Sequence, residues 1–154
     1  MGLDMYLYQR EYVSNYGFSD DHSTDTFDTI VGALNVKPTT HSPHMYVDVC
    51  VAYWRKANAV HKWFCDLDGG KDECQRIYVS REKLAELRDL AKSILLQPAI
   101  ASEKLPTQQG FFFGSYDYDE WYMEDMKNTA DQLDEILNDL PEGSWTDFYY
   151  QASW

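Results

Sequence analysis

The chain reads as an α+β domain: a mixed or antiparallel sheet of four to five strands, with about three principal helices packed on one side. Three observations point there. Short segments alternate apolar and polar residues with the period of a strand. Longer segments repeat apolar residues at three- and four-residue intervals, as helices do. Aromatic residues make up 16% of the sequence, from five Trp, twelve Tyr and seven Phe, which is ample material for a core.

Leu3, Met5 and Leu7 alternate with Asp4, Tyr6 and Tyr8, so a first strand is expected over residues 2–9. Residues 14–29 are rich in Ser, Asp and Thr, and residues 37–43 hold two prolines, so both read as loops around a short element near 27–34. Met45, Val47 and Val49 alternate with Tyr46 and Asp48, giving a second strand that runs almost directly into residues 53–64. There Tyr53, Ala57, Val60 and Phe64 share one helical face. Gly69-Gly70 marks a turn within 66–73, and residues 76–79 offer a third strand. Ser80 is the N-cap of a helix with Glu82 in its first turn and Leu84, Leu87, Ala91, Ile94 and Leu95 as its apolar stripe, ending before Pro98. The aromatic run Phe111-Phe112-Phe113 between Gly110 and Gly114 reads as a strand. A last helix is expected over about 119–140, with Met126, Leu133, Ile136, Leu137 and Leu140 inward, stopped by Pro141 and Gly143. Thr146, Phe148, Tyr150 and Ala152 alternate with their neighbours in a final strand.

A length of 154 residues suits one domain, 1–154. The first residues carry no basic leader pattern and no apolar run reaches membrane-spanning length, so a cytoplasmic protein without membrane contact is expected. Cys50, Cys65 and Cys74 form no spaced framework and read as free thiols of a reducing compartment. The net charge is −13 and uneven: residues 55–102 hold nine bases and seven acids, whereas residues 103–154 hold twelve acids and two bases. That last third repels phosphate backbones, which argues against non-specific nucleic-acid binding. The same acidity suits docking on a basic protein surface.

Chemistry concentrates at Tyr53 to Phe64. Trp54, Asn58, His61 and Cys65 fall on a helical face beside the apolar one, with Arg55 next to Trp54. Asn58 and His61, three apart, either converge on a ligand or belong to a structural network, because buried polar groups need partners. In an enzyme reading His61 is the general base, Asp4 its orienting acid and Arg55 the group that stabilises developing negative charge. Asp4 paired with Arg55 is the structural counterpart. Gly114-Ser115 before a helix suits either a capped helix start, with Ser115, Asp117 or Asp119 accepting its amides, or a small anion. Ser115, Tyr118 and Asp119 therefore join Tyr6, Trp54 and Asn58 as candidate ligand contacts. His61 and Cys65 are i,i+4, flanked by Cys50 and Cys74, but the spacing matches no zinc-finger pattern, so no metal is expected. Walker, dinucleotide and nucleophile-elbow motifs are absent, and no cofactor is expected.

The opening Met-Gly-Leu-Asp-Met-Tyr-Leu, the run Tyr53-Trp54-Arg55-Lys56-Ala57-Asn58-Ala59-Val60-His61-Lys62-Trp63-Phe64, and Leu105-Pro106-Thr107 through Gly110-Phe111-Phe112-Phe113-Gly114-Ser115 to Tyr118-Asp119-Glu120 resemble a family of small uncharacterised proteins encoded by bacteriophages and prophages. The resemblance covers residues 1 to about 140. It implies a genomic setting and no mechanism: an accessory protein that binds a host or phage protein. The alternative is a small-molecule or nucleotide-binding protein, or an enzyme, built around Asp4, Arg55, Asn58 and His61.

Overall fold

The structure, a computed structural model, describes residues 2–16, 23–110, 113–141, 143–144 and 146–154, with only the backbone described at 23 and 24. The fold is α+β. In chain order it runs β1 (Asp4–Ser14), α1 (Ser23–Leu34), β2 (His44–Arg55), α2 (Asn58–Leu67), β3 (Ile77–Val79), α3 (Arg81–Leu96), a 3-10 turn (Pro98–Ile100), α4 (Ala101–Lys104), α5 (Glu120–Asp139) and β4 (Asp147–Ser153). Among the described residues four strands form one sheet in the order β2-β1-β4-β3, and β3 pairs antiparallel with β4, Tyr78 opposite Tyr149. Among the described residues no helix is long and apolar enough to cross a membrane.

The chain divides into two compact units, Met1–Gln9 with Cys50–Trp154, and Arg10–Val49. In the smaller unit the Arg10 guanidinium grips Asp48 with two bonds of 2.7 and 2.8 Å and lies over the Tyr46 ring. Tyr12, His44 and Tyr46 cluster beside that pair, and the Asn15 amide donates to the Pro43 carbonyl at 2.9 Å. The expected short element near 27–34 is the longer α1, with Phe27 buried.

In the larger unit the period-two pattern becomes a two-faced sheet. Leu3, Met5, Leu7, Ala52, Trp54, Ile77, Val79, Phe148, Tyr150 and Ala152 supply its buried face, on which α2, α3 and α5 pack. Helix α3 starts as its sequence requires, the Ser80 hydroxyl accepting from the Lys83 amide at 3.3 Å, and buries Leu84, Leu87, Ala91 and Ile94. It lies against α5, to which Lys92 and Arg88 are tied through Asp134. Arg81 donates to the Leu137, Leu140 and Pro141 carbonyls, satisfying the open C-terminal end of α5.

Two expectations change. The helical face that includes Tyr53 and Trp54 does not form, because the β-branched and aromatic run through Trp54 stays extended as β2. Lys56 then takes φ +60°, the left-handed region, which ends the strand and turns the chain into α2. Tyr53 therefore faces away from the core, whereas Trp54 enters it and donates its Nε1–H to the Thr129 hydroxyl at 2.9 Å. The second change concerns the expected strand 111–113: Phe111 and Phe112 lie outside the described residues, and Phe113 sits buried in a bend.

Candidate functional site

Asn58 opens α2 and is only 4% exposed. It holds the long connection between α4 and α5 in place. Its Nδ2 donates to the Phe113 carbonyl at 3.0 Å and the Ser115 carbonyl at 2.7 Å, while its Oδ1 accepts the Gln108 amide at 3.1 Å. Three hydrogen bonds offset the desolvation of one side-chain amide, and they make the strand-to-helix junction a clamp on Gln108, Phe113 and Ser115. Gly114 completes that approach. It has φ +89°, and a Cβ there would lie 3.3 Å from the Lys56 carbonyl oxygen.

One turn along α2, His61 is 1% exposed and also fully bonded. Its Nε2 meets Asp72 Oδ1 at 3.0 Å and its Nδ1 meets the Tyr150 hydroxyl at 2.7 Å. An Asp72 carboxylate can only accept, so Nε2 carries the proton and Nδ1 accepts from Tyr150. Burial pushes the His61 pKa down, and this outweighs the upward pull of Asp72, so the contact is a neutral hydrogen bond rather than an ion pair. Asp72 also accepts from Gln108 Nε2 at 3.2 Å and from Trp154 Nε1 at 3.2 Å. Asn58 and His61 thus join through Gln108 and Asp72 into one network. Cys65 Sγ lies 3.6 Å from His61 Nε2, its thiol pushed up to about 12 by burial first and by the neighbouring Asp72 and Asp66 charges next.

Beside Asn58 the clamp leaves a cleft of about 350 Å³, lined by Arg55, Lys56, Asn58, Thr107, Ser115, Asp119, Trp121 and Asp125, among others. Its size falls in the range of small-molecule sites. Arg55 and Lys56 place two cations at the end of β2. Asp125 projects from α5 among Tyr122, Met126 and Thr129, which are buried. Its carboxyl has no hydrogen bond or ion pair among the described residues. Desolvation, with the Asp119 and Glu124 charges adding to it, pushes its pKa up to about 7.

No family model, curated protein or solved structure matches this chain.

The sequence-derived residues separate into three places. Arg55, Asn58, Ser115 and Asp119 line the cleft. Asp119 is at the same time the N-cap of α5, accepting from the Trp121 and Tyr122 amides at 3.0 and 3.1 Å. Tyr118 serves the same connection, its hydroxyl accepting from the Thr107 amide at 3.3 Å. Asp4 and Tyr6 lie on the outer sheet face, where Asp4 accepts from the Tyr53 hydroxyl and faces Arg55 Nε at 3.9 Å, and Tyr6 packs on Tyr53. The expected Asp4–His61 pair is therefore corrected. Strand alternation puts Asp4 and the His61 pocket on opposite faces of the sheet, and Asp72 and Tyr150 orient the ring instead. Trp54 belongs to the buried core and is not among the residues that line this cleft.

Asp125 and Asp72 escaped the sequence reading for different reasons. Asp125 carries a readable signal, an acid three residues after Tyr122 and four before Thr129 on the inward stripe of α5. Asp72 carries none, because a charged residue after Gly69-Gly70 looks like any solvated turn.

Proposed function

We propose that this protein binds a small polar molecule in the cleft between the end of β2 and the start of α5. The observation that carries the reading is Asp125: a carboxyl without a partner among the described residues, facing a cleft of about 350 Å³ that also holds Arg55 and Lys56. A half-buried acid left unpaired lowers stability, and such costs gather where a ligand supplies the partner. The side chains specify the ligand's chemistry. An anionic group meets Arg55 and Lys56, and a hydrogen-bond donor or cation meets Asp125. Lys56 supports the same site, since its left-handed backbone costs about 1–2 kcal/mol and such strain concentrates at functional positions.

The test is a thermal-shift and titration panel of free amino acids, nucleosides and nucleoside monophosphates on the intact protein. One class is expected to raise the melting temperature. Arg55→Ala and Asp125→Asn should each abolish the shift, and Tyr6→Phe on the outer sheet face should leave it unchanged. The reading fails if no class stabilises the protein, or if stabilisation survives both cleft substitutions. A pKa near 7 also suits Asp125 to proton transfer, so turnover of any ligand found is the next measurement.

A second reading has its own observation. Along α5, Glu124, Asp131, Glu135 and Asp139 accompany a single cation, Lys127, and an acidic helix of this kind suits a basic partner protein. With the resemblance to phage and prophage proteins, this supports an accessory protein that docks on a host or phage protein. Charge reversal at Asp131 and Glu135 separates the two readings, because it disrupts docking and leaves ligand binding in the cleft intact.

A further inference from the structure

We propose that His61, Cys65 and Asp72 form a binding site for one divalent transition-metal ion of the zinc class. The site lies beyond the cleft and does not depend on the ligand proposed there. His61 and Cys65 are i,i+4 on α2 and Asp72 sits in the turn that follows, so all three ligands come from twelve consecutive residues. Their ligand atoms lie within 4.8 Å of one another, and two of the three residues are buried. Nε2 is 3.6 Å from Sγ and 3.0 Å from Asp72 Oδ1. Tetrahedral zinc with ordinary bond lengths separates nitrogen from sulfur by about 3.5 Å and nitrogen from oxygen by about 3.4 Å. Shifts of up to about 1 Å therefore close the set around an ion placed where the Nε2 proton now points.

The surroundings match what such a site needs outside its ligands. Tyr150 Oη, 2.7 Å from Nδ1, fixes the ring orientation. On metal binding the imidazole changes tautomer, its single proton passing by way of solvent from Nε2, which becomes the ligand, to Nδ1, which donates it to the Tyr150 oxygen. The Cys65 thiol releases its proton to solvent as the ion takes the thiolate. Gln108 Nε2 holds Asp72 Oδ2 at 3.2 Å, and Oδ1, which also accepts from Trp154 Nε1 at 3.2 Å, is the oxygen that faces His61 and the ion. The backbone of the turn is pinned in advance. The Asp68 and Gly70 amides both donate to the Cys65 carbonyl at 2.9 Å, and Gln75 bonds Asp68 and the Lys71 carbonyl. A nitrogen, a sulfur and one carboxylate oxygen select zinc, or cobalt as its spectroscopic substitute, over magnesium and calcium. Three protein ligands leave a fourth position, and Asp72, with 20% of its side chain exposed, marks the route of entry.

The experiment is a cobalt titration of the reduced, chelator-treated, full-length protein, followed by absorption. One equivalent of Co²⁺ is expected to produce a thiolate-to-cobalt charge-transfer band in the near ultraviolet with tetrahedral visible bands, and Zn²⁺ should displace it. Cys65→Ala should lose the charge-transfer band, Asp72→Asn should weaken binding at least about tenfold, and Cys50→Ala and Cys74→Ala should match the parent. Failure of the folded parent protein to develop the band overturns the proposal. So does a band that persists in Cys65→Ala.

Discussion

Replacing Asp125 with Asn should stabilise the protein, and by an amount that grows with pH. The carboxyl has a reference pKa of 3.8 and is pushed up to about 7 in the folded state, chiefly by desolvation. A raised carboxyl pKa costs stability as the pH rises. Below the reference value both states hold the proton and nothing is lost. Between about 4 and 7 the unfolded chain ionises while the folded chain does not, and above 7 the penalty is complete. A rise from 3.8 to about 7 sets that penalty at about 4 kcal/mol at pH 8, against about 2 kcal/mol at pH 5, because a tenfold change in proton affinity corresponds to about 1.4 kcal/mol. An amide of the same shape has no ionised form to penalise. The stability gap between Asp125→Asn and the parent should therefore widen by about 2 kcal/mol from pH 5 to pH 8. Urea unfolding followed by tryptophan fluorescence measures it, with pH 5 chosen to stay above the pI of about 4.5. Contributions from groups remote from Asp125 are common to both proteins and cancel in the difference. A gap that stays constant within about 0.5 kcal/mol, or a variant less stable at every pH, would refute the assignment of Asp125 as a desolvated, unpaired acid.

Three further outcomes follow from the same geometry. His61→Ala leaves the Tyr150 hydroxyl without its partner and should cost about 1–3 kcal/mol in urea unfolding, whereas Lys62→Ala, which loses only an exposed pair with Asp66, should stay within about 0.5 kcal/mol. Gly114→Ala meets both a left-handed backbone and the Lys56 carbonyl at 3.3 Å, so a loss of about 1–2 kcal/mol is expected, with the melting temperature falling accordingly. Non-specific duplex DNA should not bind at sub-micromolar protein in about 50 mM salt, because residues 103–154 carry twelve acids and two bases; a gel shift in that range would overturn the charge argument.

Much of the architecture was legible because it rests on local periodicity. The alternation at Leu3, Met5 and Leu7 and at Phe148, Tyr150 and Ala152 marks strands whose faces the fold keeps, and Ser80, Pro98 and Pro141 bound their helices where capping and proline geometry require. The junction at Tyr53 and Trp54 was not legible. Tyr53, Ala57, Val60 and Phe64 satisfy a helical period, yet the switch is made by the backbone of Lys56, which no side-chain pattern announces.

The sequence by itself determined that Asn58 and His61 needed partners, since both sit among apolar residues of one helix and a desolvated amide or imidazole must be bonded. Who the partners are was a tertiary matter. Gln108, Phe113 and Ser115 reach Asn58 from about fifty residues away, and Tyr150 reaches His61 from β4. Sheet alternation likewise separated Asp4 from His61, although each looked in sequence like the other's complement. Local chemistry states how many hydrogen bonds a buried group requires, and only the packing of distant segments decides which atoms supply them.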